Sequence, residues 1–339
     1  MDHDKIVYRQ LPALFHRKEV FRMYTRKITV IGAGAVGSAT AFALAIKNIA
    51  SEIVMVDINE EKAKGEALDI RQATPLMSKP VDIYAGTYAA AEGSEIVIIT
   101  SGVGRKPGQT RLDLVNTNVE ILKNIAPQIT AVCPNATYVI VANPVDILTY
   151  VFCKITNIPE ERVIGSGTLL DTARLRARIA EYLNVSQKNV HAYVFGEHGD
   201  TSFIPWSIAE ISTININDYK NMIKLRNGFM VDLNYAEIDK FMRSSGAKII
   251  ARKGCTNYAI AFSVCSICES LFGSLNAVAT VSTMLHGEYG LEDVCLSLPV
   301  LLAEGEVQGR ILPALTDNEY AKLQHSAKSL KAVLAQLNI

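Results

Sequence analysis

The chain lacks the features that mark several protein classes. Lysine plus arginine equal aspartate plus glutamate at 34 each, with no long block of either sign. A surface for nucleic acid or an anionic membrane needs such a block, so neither partner is expected. No run of 18 apolar residues occurs, which argues against a spanning helix. Internal repeats and low-complexity linkers are also missing. The six cysteines (Cys133, Cys153, Cys255, Cys265, Cys268 and Cys295) sit mainly within apolar segments, not in a dense framework. That pattern suits thiols packed as small hydrophobes in a reducing, cytoplasmic compartment. Cys265 and Cys268 form a C-x-x-C, yet no second pair or nearby histidine accompanies them. Phe262, Ile267 and Leu271 around them suggest a buried helix instead of a metal or redox site.

What the chain does have is core material. Of 339 residues, 49% are hydrophobic and 20% charged, enough for about two domains with sizeable cores. Residues 1–26 interleave Lys5, Arg9, Arg17, Lys18, Arg22 and Arg26 with aromatics and leucines. Without a continuous apolar run or a small-residue cleavage site they do not read as a secretory signal. A helical arm on a neighbouring subunit and a frayed leader both remain open.

Lys27 to Ile31 is a short branched strand that runs into Gly32-Ala33-Gly34-Ala35-Val36-Gly37, and Ser38 to Lys47 follows as an alanine-rich helix. Strand, G-x-G-x-x-G and helix in that order describe a dinucleotide turn. Gly32 allows the tight turn, Gly34 lets a pyrophosphate approach the backbone, and Gly37 allows close packing of helix on strand. The helix N-terminus offers free amides to the phosphates. A second buried strand, Glu52 to Val56, ends at Asp57, 20 residues beyond Gly37. An acid there fits a ribose hydroxyl pair and favours NAD over NADP; the plainer reading is a solvated acid capping the next helix. Strands near 81–85, 95–100 and 137–141 with helices between them continue a parallel, doubly wound α/β sheet. Asn143, before Pro144 at a strand's carboxyl end, faces the ligand crevice or simply makes the turn.

Residues 101–113 hold three glycines, a proline and the cations Arg105, Lys106 and Arg111 between a strand end and a helix. This reads as a mobile lid at the cofactor edge, able to bring an arginine over a carbonyl, or as a solvated basic loop. Asp171 and Arg174, three apart on a helix, share a face. Val190 to Phe195 alternates as a strand, and Gly196-Glu197-His198-Gly199-Asp200 must break it. A histidine held there, with a carboxylate to fix its tautomer and a guanidinium for an organic acid, describes proton transfer to a carboxylate-bearing substrate.

Taken together, Gly32 to Gly37, Lys106 to Arg111, Asn143-Pro-Val-Asp-Ile-Leu-Thr-Tyr150, Gly165-Ser-Gly-Thr168, Leu170-Asp-Thr-Ala-Arg174, Glu197-His-Gly-Asp200 and Lys253-Gly-Cys-Thr-Asn-Tyr258 resemble the lactate/malate dehydrogenase family, in particular its bacterial L-lactate branch. The resemblance runs from about Lys27 to the C-terminus. It implies a Rossmann-type NAD-binding domain over 27–168 and an α+β substrate domain over 169–339. It also implies pyruvate and lactate as substrates and a homotetramer. By the same resemblance His198 is the proton donor and acceptor, Asp171 its orienting carboxylate, Arg174 the clamp on the substrate carboxylate and Arg111 the group that polarises the carbonyl. Asn143 and Thr256 line the substrate pocket.

Arg105 departs from the pattern. The lactate enzymes commonly carry Gln at this loop position and the malate enzymes Arg, so Arg105 alone points to oxaloacetate and malate. Thr256, the Glu197 to Asp200 run and Asn143 to Thr149 point to lactate. Arg176 and His191 match the family's pair for fructose 1,6-bisphosphate between subunits; a local helix-to-strand contact is the plain alternative. Two other classes stay open: an NAD-dependent glycosidase, which would need a metal and a sugar-phosphate site, and a silent NAD-binding protein. Amphipathic helices are expected over 236–251 and 318–337, and a strand over 294–302 in a smaller α/β unit.

Overall fold

The computed structural model describes residues 26–104, 111–222 and 233–338, without the side chains of residues 111 and 220. Arg105 and the arginine side chain at 111 therefore lie outside the described residues.

The first half alternates strand and helix: β1 (Lys27–Ile31), α1 (Ala35–Ile46), β2 (Glu52–Val56), α2 (Glu60–Ala73), β3 (Asp82–Ala85), β4 (Ile96–Ile99), α3 (Arg111–Val132), β5 (Thr137–Ile140), α4 (Val145–Ile155) and β6 (Val163–Gly165). The strands pair in parallel in the order β3-β2-β1-β4-β5-β6. The order reverses between β1 and β4, and there a crevice opens at the carboxyl ends of the strands. Helices cover both faces, so the strands are apolar throughout instead of alternating. Ile28, Val30, Ile53, Met55, Ile96 and Ile98 pack toward α1, α2 and the helix over 258–271. Ile31, Val54, Val97, Ile99, Tyr138 and Ile140 pack toward α3 and α4. Each such side chain contributes about 1.5–3 kcal/mol on full burial. The small residues Ala41, Ala43 and Ala45 are all buried on α1, which lies between the sheet and the helix over 258–271.

The second half contains α5 (Leu169–Leu183), the short strands β7 (Val190–His191), β8 (Glu210–Ile211) and β9 (Ile214–Asn215), then α6 (Ile216–Met222), α7 (Tyr235–Lys253), α8 (Tyr258–Leu271), β10 (Ala277–His286), β11 (Glu292–Ala303), β12 (Glu306–Arg310) and α9 (Asp317–Leu334). Strands β7, β8 and β9 form a small antiparallel sheet. The expected helices are present as α7 and α9; α9 begins with a reciprocal cap between Thr316 and Glu319.

Three expectations need correction. The strand over 294–302 exists within β11, but it joins the first sheet. The antiparallel β10-β11-β12 run attaches to β6 through the pair Ser282 and Gly165, giving nine strands among the described residues. The strand over 190–195 is ladder-paired only at Val190 and His191. Beyond them α5 and the residue that precedes it satisfy the backbone: Thr172 Oγ1 accepts from the Val194 amide at 2.9 Å and Thr168 Oγ1 donates to the Val194 carbonyl at 2.5 Å. Single bridges then link Phe195 to Phe203 and Gly196 to Ser297. Finally, Cys265, Cys268, Ile267 and Leu271 are buried on α8, but Phe262 is 57% exposed, its ring beneath the Lys47 ammonium.

Candidate active site

The glycine turn after β1 has the geometry its residues require. Gly32 sits at φ +104°, and a Cβ there would lie 2.7 Å from Thr100 Oγ1. At Gly37 a Cβ would come within 1.7 Å of the Gly32 carbonyl oxygen, so only glycine lets α1 sit on the turn. Gly34, the residue preceding α1, has nothing within 4 Å of the corresponding point. The backbone is therefore open to a phosphate there, at a helix N-terminus.

Asp57 closes the other side. Its Oδ2 accepts from the Ala33 amide at 2.6 Å and Oδ1 from the Asn59 amide at 2.8 Å. Asn59 in turn accepts from the Lys62 amide as the cap of α2. The acid thus ties the glycine turn to the end of β2, and it is Asn59, not Asp57, that caps α2. Gly32, Gly34 and Asp57 line a cleft of about 700 Å³ with Thr100, Ser101 and Gly102, a volume in the range of small-molecule sites. An open phosphate position, an acid at the strand end and a cleft of this size fit a dinucleotide.

The second cluster is assembled by α5 and the 196–200 turn. His198 Nδ1 lies 2.5 Å from Asp171 Oδ2, and Arg174 Nη1 donates to Asp171 Oδ1 at 3.0 Å. One carboxylate therefore orients both an imidazole and a guanidinium. Burial disfavours ionisation of Asp171, but the charge and hydrogen bonds of His198, then of Arg174, outweigh it and hold the carboxyl below its ordinary range. For His198 burial favours the neutral ring; Asp171 first and Asp146 second overcome this and raise the pKa. The side chains of Arg174 and Asp171 are 13% and 8% exposed, that of His198 28%, so the ring keeps one edge open.

Other sequence candidates are placed around these two centres. Asn143 is exposed at the end of β5, and its carbonyl accepts from Asn118 Nδ2 at 2.6 Å. Thr256 is half-buried in the turn between α7 and α8, while α7 passes Arg174 with a Cβ at Gly246 falling 3.8 Å from the guanidinium. Arg176 Nε donates to the Ala192 carbonyl at 2.9 Å and its guanidinium stacks 4.8 Å over Tyr193. Among the described residues, no hydrogen bond or ion pair joins its side chain to that of exposed His191 on β7.

Asn118, Asp146 and Arg243 escaped the sequence reading as individual residues. Buried Asn118 accepts from the Val103 amide at 2.9 Å and donates to the Val103 and Asn143 carbonyls. It fixes the chain just beyond β4, at Val103, against the end of β5. Arg243 reaches from α7 to the carbonyls of Asp200 and Ser202. A helical Asn or Arg carries no local pattern to signal such contacts. Asp146 lay within a quoted run, but nothing in its spacing pointed to a partner 52 residues away.

Comparison with known proteins identifies the family. Residues 26–165 match the family model for the lactate/malate dehydrogenase NAD binding domain, and residues 168–338 that for the lactate/malate dehydrogenase alpha/beta C-terminal domain. The chain is 42% identical over 317 residues to an L-lactate dehydrogenase of Clostridium perfringens, covering 93% of this chain and 98% of that one. It is 43% identical over 314 residues to an L-lactate dehydrogenase of Thermoanaerobacter pseudethanolicus, covering 92% and 99%. Among solved structures it superposes on the minor L-lactate dehydrogenase of Enterococcus mundtii with a TM-score of 0.87 and 37% identity, over 93% of this chain and 99% of that one. The cofactor is NAD, and the chain belongs to the lactate/malate dehydrogenase family.

Proposed function

We propose that the chain is an NAD-dependent L-lactate dehydrogenase that interconverts pyruvate and L-lactate. The observation that carries this reading is the single buried carboxylate of Asp171 held by both His198 and Arg174. A proton-transfer group and a carboxylate clamp in one network, beside a dinucleotide cleft, match a 2-hydroxy acid. In this division of labour residues 27–168 carry NAD, through Gly32, Gly34, Gly37 and Asp57 with Asn143 at the crevice, and residues 169–339 carry most of the substrate groups.

Bound NADH supplies the hydride for the carbonyl carbon. Arg174 pairs its free guanidinium edge with the substrate carboxylate and fixes which face of the carbonyl is presented. His198, as imidazolium, keeps its Nδ1 proton on Asp171 and gives its Nε2 proton to the oxygen that develops negative charge. Arg111 stabilises that charge, and Asn143 and Thr256 line the pocket. In the reverse direction neutral His198 accepts the hydroxyl proton of lactate.

The decisive experiment follows NADH absorbance with pyruvate and with oxaloacetate, in the wild type and in His198→Asn. Turnover of pyruvate, with a variant that still binds NADH but does not turn over, supports the reading. A catalytic efficiency overwhelmingly higher on oxaloacetate would favour a malate enzyme, the direction to which Arg105 points. The reading extends to a cytoplasmic homotetramer, supported by the exposed apolar residues Phe42, Ile46 and Phe262 and by buried free thiols. It also includes activation by fructose 1,6-bisphosphate at Arg176 and His191. Unchanged pyruvate saturation in the presence of the sugar bisphosphate would remove that last part.

A further inference from the structure

We propose that Asp146 is a positioning residue for His198: its buried carboxylate anchors the backbone at the histidine and places a second negative charge near the imidazole. The inference rests on the proposed role of His198 in proton transfer.

Asp146 stands in the first turn of α4, where an acid ordinarily faces solvent over its own helix's amides. Here it is 3% exposed, and both oxygens are engaged away from the helix. Oδ2 accepts from the His198 amide at 2.8 Å, and Oδ1 accepts from Ser282 Oγ on β10 at 2.6 Å. A buried carboxylate without partners would be costly; these two bonds satisfy it and commit its direction. Ser282 can reach it because its neighbour across the sheet is Gly165, where a Cβ would lie 2.3 Å from Thr149 Oγ1 and 2.9 Å from Ser282 Cβ. The glycine of the Gly165-Ser166-Gly167-Thr168 run thus brings β10 close enough to hold Asp146.

The charged and titratable groups around the pair come from every side. His198 faces Asp171 and Arg174 of α5 and Asp146 of α4. Asp146 faces His198 and Glu197 of the turn, and its charge reaches Cys295 of β11. Burial pushes the Asp146 carboxyl up to about 6, with Ser282 and then His198 favouring its ionised form. At neutral pH it is mostly ionised and favours imidazolium. Below that value it titrates, and the imidazole keeps only Asp171 as a full partner. Two carboxylates on different helices therefore set the proton affinity of one ring: Asp171 through the ring nitrogen, Asp146 through the backbone and through space.

The test compares full-length wild type with Asp146→Asn and Ser282→Ala, reading the pH dependence of pyruvate reduction and, separately, NADH binding and Tm. Asparagine keeps an acceptor for the His198 amide and removes the charge. Its alkaline midpoint should fall by about half a pH unit or more. Ser282→Ala keeps the carboxyl but removes a bond that favours its ionised form, so its midpoint should shift the same way by less. A wild-type midpoint retained in Asp146→Asn overturns the positioning role. If Asp146→Asn does not fold, an unmoved midpoint in Ser282→Ala overturns it. A wild type that binds NADH but leaves pyruvate and oxaloacetate untouched overturns the functional reading itself, an outcome distinct from an active enzyme with an unmoved profile.

Discussion

The Nδ1 atom of His198 and the Oδ2 atom of Asp171 lie 2.5 Å apart, across 27 residues of sequence. The contact joins a turn to the first turn of α5, and it raises the proton affinity of the ring while lowering that of the acid. Pyruvate reduction needs imidazolium. Its rate should hold past the ordinary histidine value of 6.5 and decline as pH rises through the raised one, while lactate oxidation increases. Asp171→Asn should move that decline to lower pH and cost about 10²–10⁴ in kcat. A pH profile that is flat on the alkaline side would remove His198 from proton transfer.

The same pair makes a stability prediction with a definite sign. The raised pKa of His198 contributes stability that is full below 6.5 and lost as pH rises through the folded value. The lowered pKa of Asp171 contributes stability present above 3.8 and lost as pH falls through its folded value. The Tm gap between wild type and Asp171→Asn should therefore be widest at mildly acid pH, between those limits. Thermal melts across pH would check it, and a gap that grows steadily into alkaline solution would refute it.

Gly34 and Gly37 separate binding from folding. A Cβ at Gly34 meets nothing, so Gly34→Ala should keep its Tm and lose NADH affinity, because the methyl occupies the phosphate position. A Cβ at Gly37 overlaps the Gly32 carbonyl, so Gly37→Ala must push α1 off the turn. Overpacking of this kind costs about 1–3 kcal/mol or more, and Tm should drop along with affinity. NADH fluorescence titrations beside thermal melts would distinguish the two.

The contrast between these glycines was readable from the sequence, because each cue is local: a branched strand, a turn that needs positive φ, and a helix of alanines. The parallel sheet and the acid at the end of β2 follow in the same way. What was not readable depends on distant partners. Whether β10 to β12 extend the first sheet rests on one pair, Ser282 with Gly165. Val194 leaves the ladder because Thr168 and Thr172 take its backbone groups, and no alternation pattern encodes that. The roles of Asn118 and Asp146 likewise lie in hydrogen bonds to loops that only the folded chain brings near.

Arg105 offers the sharpest test of substrate choice, because its charge has a cost that only one substrate offsets. Enclosed against the methyl group of pyruvate, an unpaired guanidinium would cost on the order of 3–5 kcal/mol; against the second carboxylate of oxaloacetate it would be paired. A lactate enzyme with this residue should turn it toward water when pyruvate is bound, and should retain measurable oxaloacetate activity. Arg105→Gln removes the pairing without adding a charge. The ratio of kcat/KM on oxaloacetate to that on pyruvate should then fall by at least about tenfold, the equivalent of roughly 1.4 kcal/mol. An unchanged ratio would mean that Arg105 never faces the substrate side chain.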